Sequence, residues 1–121
     1  MNVTGQSWYQ STGQGMGATL TITSEKQAYT ITDRATYLAT KDKLQLGILV
    51  QGDPLLLNIY HVITVNPAKS TSINEKGAKA FLDFMISDEA QKAIKTFGVE
   101  KYGEPLFFPD ADKTEADLGS V

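Results

Sequence analysis

The chain of 121 residues contains no cysteine and a single histidine, His61. The first absence excludes disulfides, thiolate metal sites and cysteine nucleophiles, and it assigns no compartment. The second leaves any metal site dependent on carboxylates distant in sequence, so His61 is expected to pack or hydrogen-bond within a strand. Also missing is an excess of positive charge. With 14 acidic and 11 basic residues the formal charge is −3, and the lysines do not cluster. A nucleic-acid surface needs a basic field, so none is expected. No apolar run approaches the roughly 20 residues that span a bilayer. Ile48-Leu49-Val50 is soon broken by Gly52-Asp53-Pro54. No Gly-x-Ser-x-Gly elbow and no acid–base pair is present, so an enzyme is not expected. Internal repeats and low-complexity tracts are absent as well.

What is present is the composition of one small domain: 41% hydrophobic and 21% charged residues, enough for a modest core. After Met1 the chain continues with polar Asn2-Val3-Thr4-Gly5-Gln6-Ser7, which is no secretory signal. The expectation is a cytosolic protein or an excerpt of a longer precursor.

Periodicity and punctuation set out the elements. Met16 and Leu20 lie one helical turn apart, which predicts a short helix from Gly15 to about Lys26. Ala28-Tyr29-Thr30-Ile31-Thr32 alternates as a strand does. Asp33 is an N-cap for a helix over 34–39, with Lys41 and Lys43 at its C-terminal end. Leu44 to Val50 reads as a second strand, and Ile59 to Val65 as a third that Pro67 ends. Asn74 caps a helix carrying Ala78, Phe81, Leu82 and Met85, and Ser87 caps another carrying Ala90, Ala93, Ile94 and Phe97, with Gly98 at its end. Phe81, Phe84, Leu106, Phe107 and Phe108 are expected in the core, and the acidic tail from Asp110 is expected to fray. The order helix, strand, helix, strand, strand, helix, helix is an α/β arrangement.

Two clusters carry candidate chemistry. Gly13-Gln14-Gly15-Met16-Gly17 feeds a helix start, where backbone N–H groups point outward with partial positive charge. It lacks the preceding strand and spacing of a dinucleotide fingerprint, and no Gly-Lys-Ser/Thr follows to make a phosphate-binding P-loop. The alternative is a flexible loop entering a helix. Thr32-Asp33-Arg34 closes the first strand, the end at which ligands gather in open α/β sheets. Its alternative is purely local: Asp33 caps, and Arg34 lies on a solvated face. Hydrogen-bond donors without a nucleophile or metal ligands suit holding an anion rather than transforming it.

Several blocks then resemble, in order, the tungstate-binding proteins of bacterial ABC uptake transporters. They are Ser11-Thr12-Gly13-Gln14-Gly15-Met16-Gly17-Ala18-Thr19-Leu20, residues 28–38 and Gly52-Asp53-Pro54-Leu55-Leu56-Leu57-Asn58. Val65-Asn66-Pro67-Ala68-Lys69, Lys79-Ala80-Phe81, Ser87-Asp88-Glu89-Ala90-Gln91 and Phe97-Gly98 continue the series. The resemblance implies a type II periplasmic-binding-protein fold, with an oxyanion held between two α/β lobes. Gly15, Met16 and Gly17 would supply the helix start, Thr32 a strand-end donor, and Asp33 and Arg34 would flank it. It further implies a tungstate or molybdate ligand without other cofactor, an ABC permease partner, and a periplasmic or extracellular location.

Only the second half of such a protein is matched. Residues 1–54 correspond to the end of the distal lobe with the crossing segment, and 55–121 to the C-terminal part of the proximal lobe. The expected fold is therefore a partial one, and exposed or exchanged elements could drive homo-oligomerisation. The competing expectation is an effector-sensing or oligomerisation fragment of a module like those in LysR-type regulators.

Overall fold

The computed structural model describes residues 2–118, which divide into two compact units, Met1–Gly47 and Ile48–Val121. In the first unit, helix α1 spans Met16–Glu25 and α2 spans Arg34–Thr40. The two helices pack together, and each buries one leucine, Leu20 on α1 and Leu38 on α2. Full burial of one leucine contributes about 1.5–3 kcal/mol, so this core is small. Thr23 of α1 is also buried, and its hydroxyl is satisfied inside its own helix by donating to the Thr19 carbonyl at 2.8 Å. Gln27 then takes a left-handed backbone, φ 51°, and the chain leaves α1.

The start of α2 follows from Asp33, whose carboxylate accepts from the Thr36 N–H. The helix passes directly into a 3₁₀ turn at Lys41–Lys43. Residues 44–46 are then pinned by side chains: the Gln45 N–H donates to Ser24 Oγ at 2.8 Å, and Tyr37 Oη donates to the Leu46 carbonyl at 3.0 Å.

In the second unit, 3₁₀ turns at Pro54–Leu56 and Pro67–Lys69 are opened by Asp53 and Asn66, each accepting a backbone N–H onto its side chain. Helix α3, Glu75–Met85, begins at Asn74, and α4, Asp88–Thr96, begins at Ser87. Ala90 is buried, and α3 and α4 pack on each other. Gly98 follows in the left-handed region, φ 91°, and opens the one-turn helix α5, Val99–Tyr102. A Cβ on Gly98 would lie 2.5 Å from Leu106 Cγ, so the absent side chain leaves room for the leucine. The Leu106 N–H donates to the Phe97 carbonyl at 2.9 Å. Phe107 sits between the rings of Tyr60 and Phe97, with centroids at 5.8 and 6.2 Å.

Three expectations are corrected. Among the described residues there is no β-strand: the segments 28–32, 44–50 and 59–65 carry no strand pairing. A strand is completed by a ladder with a neighbour, and alternation within one segment cannot supply that neighbour. Phe81, Phe84 and Phe108 are exposed rather than core, while Leu106 and Phe107 are half-buried. The acidic tail is partly ordered: Thr114 donates its N–H and hydroxyl to Asp117 Oδ2 at 2.9 and 2.6 Å, opening α6 at Glu115–Leu118. These bonds hold the Asp117 carboxyl below the ordinary aspartate range. The last three residues of that tail lie outside the described residues.

Candidate functional site

Gly15 is the N-cap of α1, extended at φ −68° and ψ 168°, with no side chain capping the helix. Met16, Gly17 and Ala18 follow in the first turn, where no carbonyl stands four residues back to accept their N–H groups. The turn leading into them is shaped by hydroxyls. Thr12 Oγ1 lies 2.8 Å from Thr19 Oγ1 and accepts the Gln14 N–H at 3.3 Å, while Gly13 takes a left-handed φ of 62°. Thr12 and Thr19 were not singled out from the sequence. Their signal there was only a pair of hydroxyls flanking a glycine run. A Cβ at Gly15 or Gly17 would meet nothing within 4 Å, so the space beside this helix start is open.

Thr32, Asp33 and Arg34 lie in the same unit, at the entry to α2. The Thr32 hydroxyl donates to the Asp33 carbonyl at 3.0 Å. Asp33 directs Oδ1 to the Thr36 N–H at 2.7 Å and Oδ2 to the Thr36 hydroxyl at 2.8 Å. The Asp33 carbonyl also accepts the Tyr37 N–H at 3.3 Å, so these bonds of Thr32 and Asp33 are local to the start of α2. Arg34 is the first residue of α2, and it has an interaction partner. Thr32 does not close a strand, contrary to expectation; it ends an irregular segment.

The six residues therefore stand at two helix entries in one unit: one at Gly15 with no side-chain cap, and one at Asp33 that its own carboxylate caps. Two cavities lie elsewhere. One of about 470 Å³ is lined by Thr96, Phe97, Gly98, Glu100, Lys101, Tyr102 and Leu106. Another of about 280 Å³ is lined by Thr64, Val65, Pro67, Glu75, Lys79 and Leu82. Neither includes any of the six. His61 is exposed and outside any strand, which corrects its expected packing. Among the described residues no group of three or more metal-ligating side chains is assembled, and no helix is long and apolar enough to cross a membrane.

Residues 2–89 match the family model of the PBP superfamily domain. The chain belongs to this superfamily. Among similar curated proteins is the tungstate-binding protein TupA of Peptoclostridium acidaminophilum, 52% identical over 106 residues, which are 88% of this chain and 37% of that protein. The tungstate-binding protein TupA of Campylobacter jejuni is 40% identical over 116 residues, 93% of this chain and 42% of the relative. A Haloferax volcanii protein, named for anion binding in an ABC transporter, is 43% identical over 117 residues, 93% of this chain and 34% of its own length. The chain thus spans at most 42% of the length of these relatives. No solved structure matches.

Proposed function

We propose that this chain is the C-terminal portion of a solute-binding component that captures tungstate or a related oxyanion for an ABC transporter. The observation that carries this reading is the 52% identity over 106 residues with a protein named for tungstate binding. On this reading the fold is the partial type II periplasmic-binding-protein fold described above. Its role is binding rather than catalysis, its partner is an ABC permease, and its location is periplasmic or extracellular.

The geometry supports a division of roles among the six residues. Gly15, Met16 and Gly17 present backbone N–H groups at an uncapped start of a ten-residue helix, where the helix dipole favours an anion. Thr32 contributes a hydroxyl that can rotate from the Asp33 carbonyl toward a ligand. Asp33 keeps both oxygens on Thr36 and shapes the entry to α2, and Arg34 flanks it. Molybdate has the same shape and charge as tungstate, so these donors accept both, whereas sulfate is smaller and fills the same space less well.

Calorimetric titration of the chain with tungstate, with sulfate as competitor, tests the reading. Saturable tungstate binding that sulfate fails to displace supports it. Equal displacement by sulfate, at equal concentration, overturns the assigned selectivity.

A further inference from the structure

Asn2-Val3-Thr4 is an Asn-x-Ser/Thr triplet whose middle residue is not proline, the acceptor pattern of N-linked glycosylation. Asn58, Asn66 and Asn74 have no serine or threonine two residues on, so the pattern falls at Asn2. A triplet this short arises often by chance. Geometry separates one that can be modified from one that cannot. The asparagine must be exposed, its amide nitrogen uncommitted, its threonine hydroxyl free to be recognised, and the space around it open to a bulky group.

The first unit meets these conditions at one point. Asn2 and Thr4 are both exposed. The Thr4 N–H donates to Asn2 Oδ1 at 3.0 Å, which holds the side-chain amide by its oxygen in an Asx turn. Among the described residues Asn2 Nδ2 and Thr4 Oγ1 make no hydrogen bond. The hydroxyls of Thr21, Thr23, Thr32 and Thr40 differ, since each donates to a backbone carbonyl. Asn66 and Asn74 differ as well, because their side chains cap helical turns. Gly5 then takes a left-handed φ of 77°, and the Gln6 N–H donates to the Val3 carbonyl at 3.2 Å, which closes a turn. A Cβ at Gly5 would meet nothing within 4 Å, so the surroundings of the triplet are open.

We propose that Asn2 is an N-glycosylation site. Asn2 Nδ2 attacks the anomeric carbon of an oligosaccharide activated as a lipid-linked diphosphate. The N–C bond forms, the C–O bond to phosphate breaks, the lipid diphosphate leaves and the nitrogen loses one proton to solvent. The Thr4 hydroxyl is the group a transferase recognises. The inference rests on the periplasmic or extracellular location proposed above, where such modification takes place, and not on the anion.

The test is peptide mass mapping of the protein purified from its source cells, beside Asn2→Gln, Thr4→Val and Thr4→Ser variants made in the same cells. The expected result is an oligosaccharide on the peptide carrying Asn2, with its first sugar left on Asn2 after fragmentation. Asn2→Gln and Thr4→Val should lose it, and Thr4→Ser should keep part of it. All three changes are at exposed positions and should leave the circular dichroism of the chain unchanged. Two results would overturn the proposal: Asn2 unmodified in the purified protein, or a modification that survives Thr4→Val. Fractionation of the same cells separates the causes. Unmodified protein outside the cytoplasm overturns the site and leaves the location standing, whereas unmodified protein in the cytoplasm overturns both.

Discussion

Both carboxylate oxygens of Asp33 are held by one residue, Thr36, through its N–H at 2.7 Å and its hydroxyl at 2.8 Å. Asp33 thereby spends its acceptors on the first turn of α2, and α2 carries Leu38, one of the few buried residues of the first unit. The carboxylate thus supports the packing of the helix beside α1. Its negative charge is spread over two donors next to Thr32, which we propose contributes to an anion site.

Asp33→Ala should destabilise the chain by about 1–2 kcal/mol, the usual cost of losing an N-cap. Asp33→Asn should recover most of that loss, since its side-chain oxygen still caps. Urea unfolding midpoints at constant slope read both values. Equal destabilisation by the two variants would contradict the capping role.

Gly98 should tolerate no side chain. Its left-handed backbone costs a non-glycine residue about 1–2 kcal/mol, and a Cβ would collide with Leu106 Cγ at 2.5 Å. Gly98→Ala is expected to lower stability by more than the backbone cost alone. In a Leu106→Ala background the steric part should vanish, so a double-mutant cycle should show a coupling of about 1 kcal/mol. Strict additivity would mean that the contact is relieved elsewhere.

Gln91 joins α4 to its surroundings with one amide. Nε2 donates to the Met85 carbonyl at 2.9 Å, and Oε1 accepts from the N–H groups of Asp110 and Ala111 at 3.1 and 3.2 Å. Each lost hydrogen bond is worth about 1 kcal/mol, so Gln91→Ala should speed amide exchange at Asp110 and Ala111 about tenfold while α3 keeps its protection. Unchanged exchange at those two amides would contradict the tie.

Thr32→Val removes a hydroxyl without changing side-chain shape. A hydrogen bond to a charged group contributes about 1.5–3 kcal/mol, so tungstate affinity should fall at least tenfold, with the unfolding midpoint nearly unchanged. Unaltered affinity, read by calorimetric titration, would remove Thr32 from the site.

Legibility in the sequence followed locality. Asp33, Asn74, Ser87 and Gly98 mark helix ends because capping uses residues within one turn, and all four stand at helix ends in the structure. The strands were not legible in the same way: alternation at 44–50 and 59–65 describes a single segment, whereas a strand needs a paired neighbour, and among the described residues neither segment has one. Phe81 and Phe84 lie on a well-formed helix and are exposed, because periodicity within one helix does not fix what packs against it. Within the candidate site the glycine turn was visible as composition. The Thr12–Thr19 hydroxyl pair that shapes it depends on three-dimensional approach across the turn.

The most direct test of the account is a thermal-unfolding series of the chain with tungstate, molybdate, sulfate and phosphate. A ligand that binds only the folded state stabilises it by about 2.7 kcal/mol at a hundredfold excess over its dissociation constant. The account predicts a rise in midpoint with tungstate and molybdate, and little or none with sulfate and phosphate. Cooperative unfolding with no oxyanion-dependent shift would contradict it.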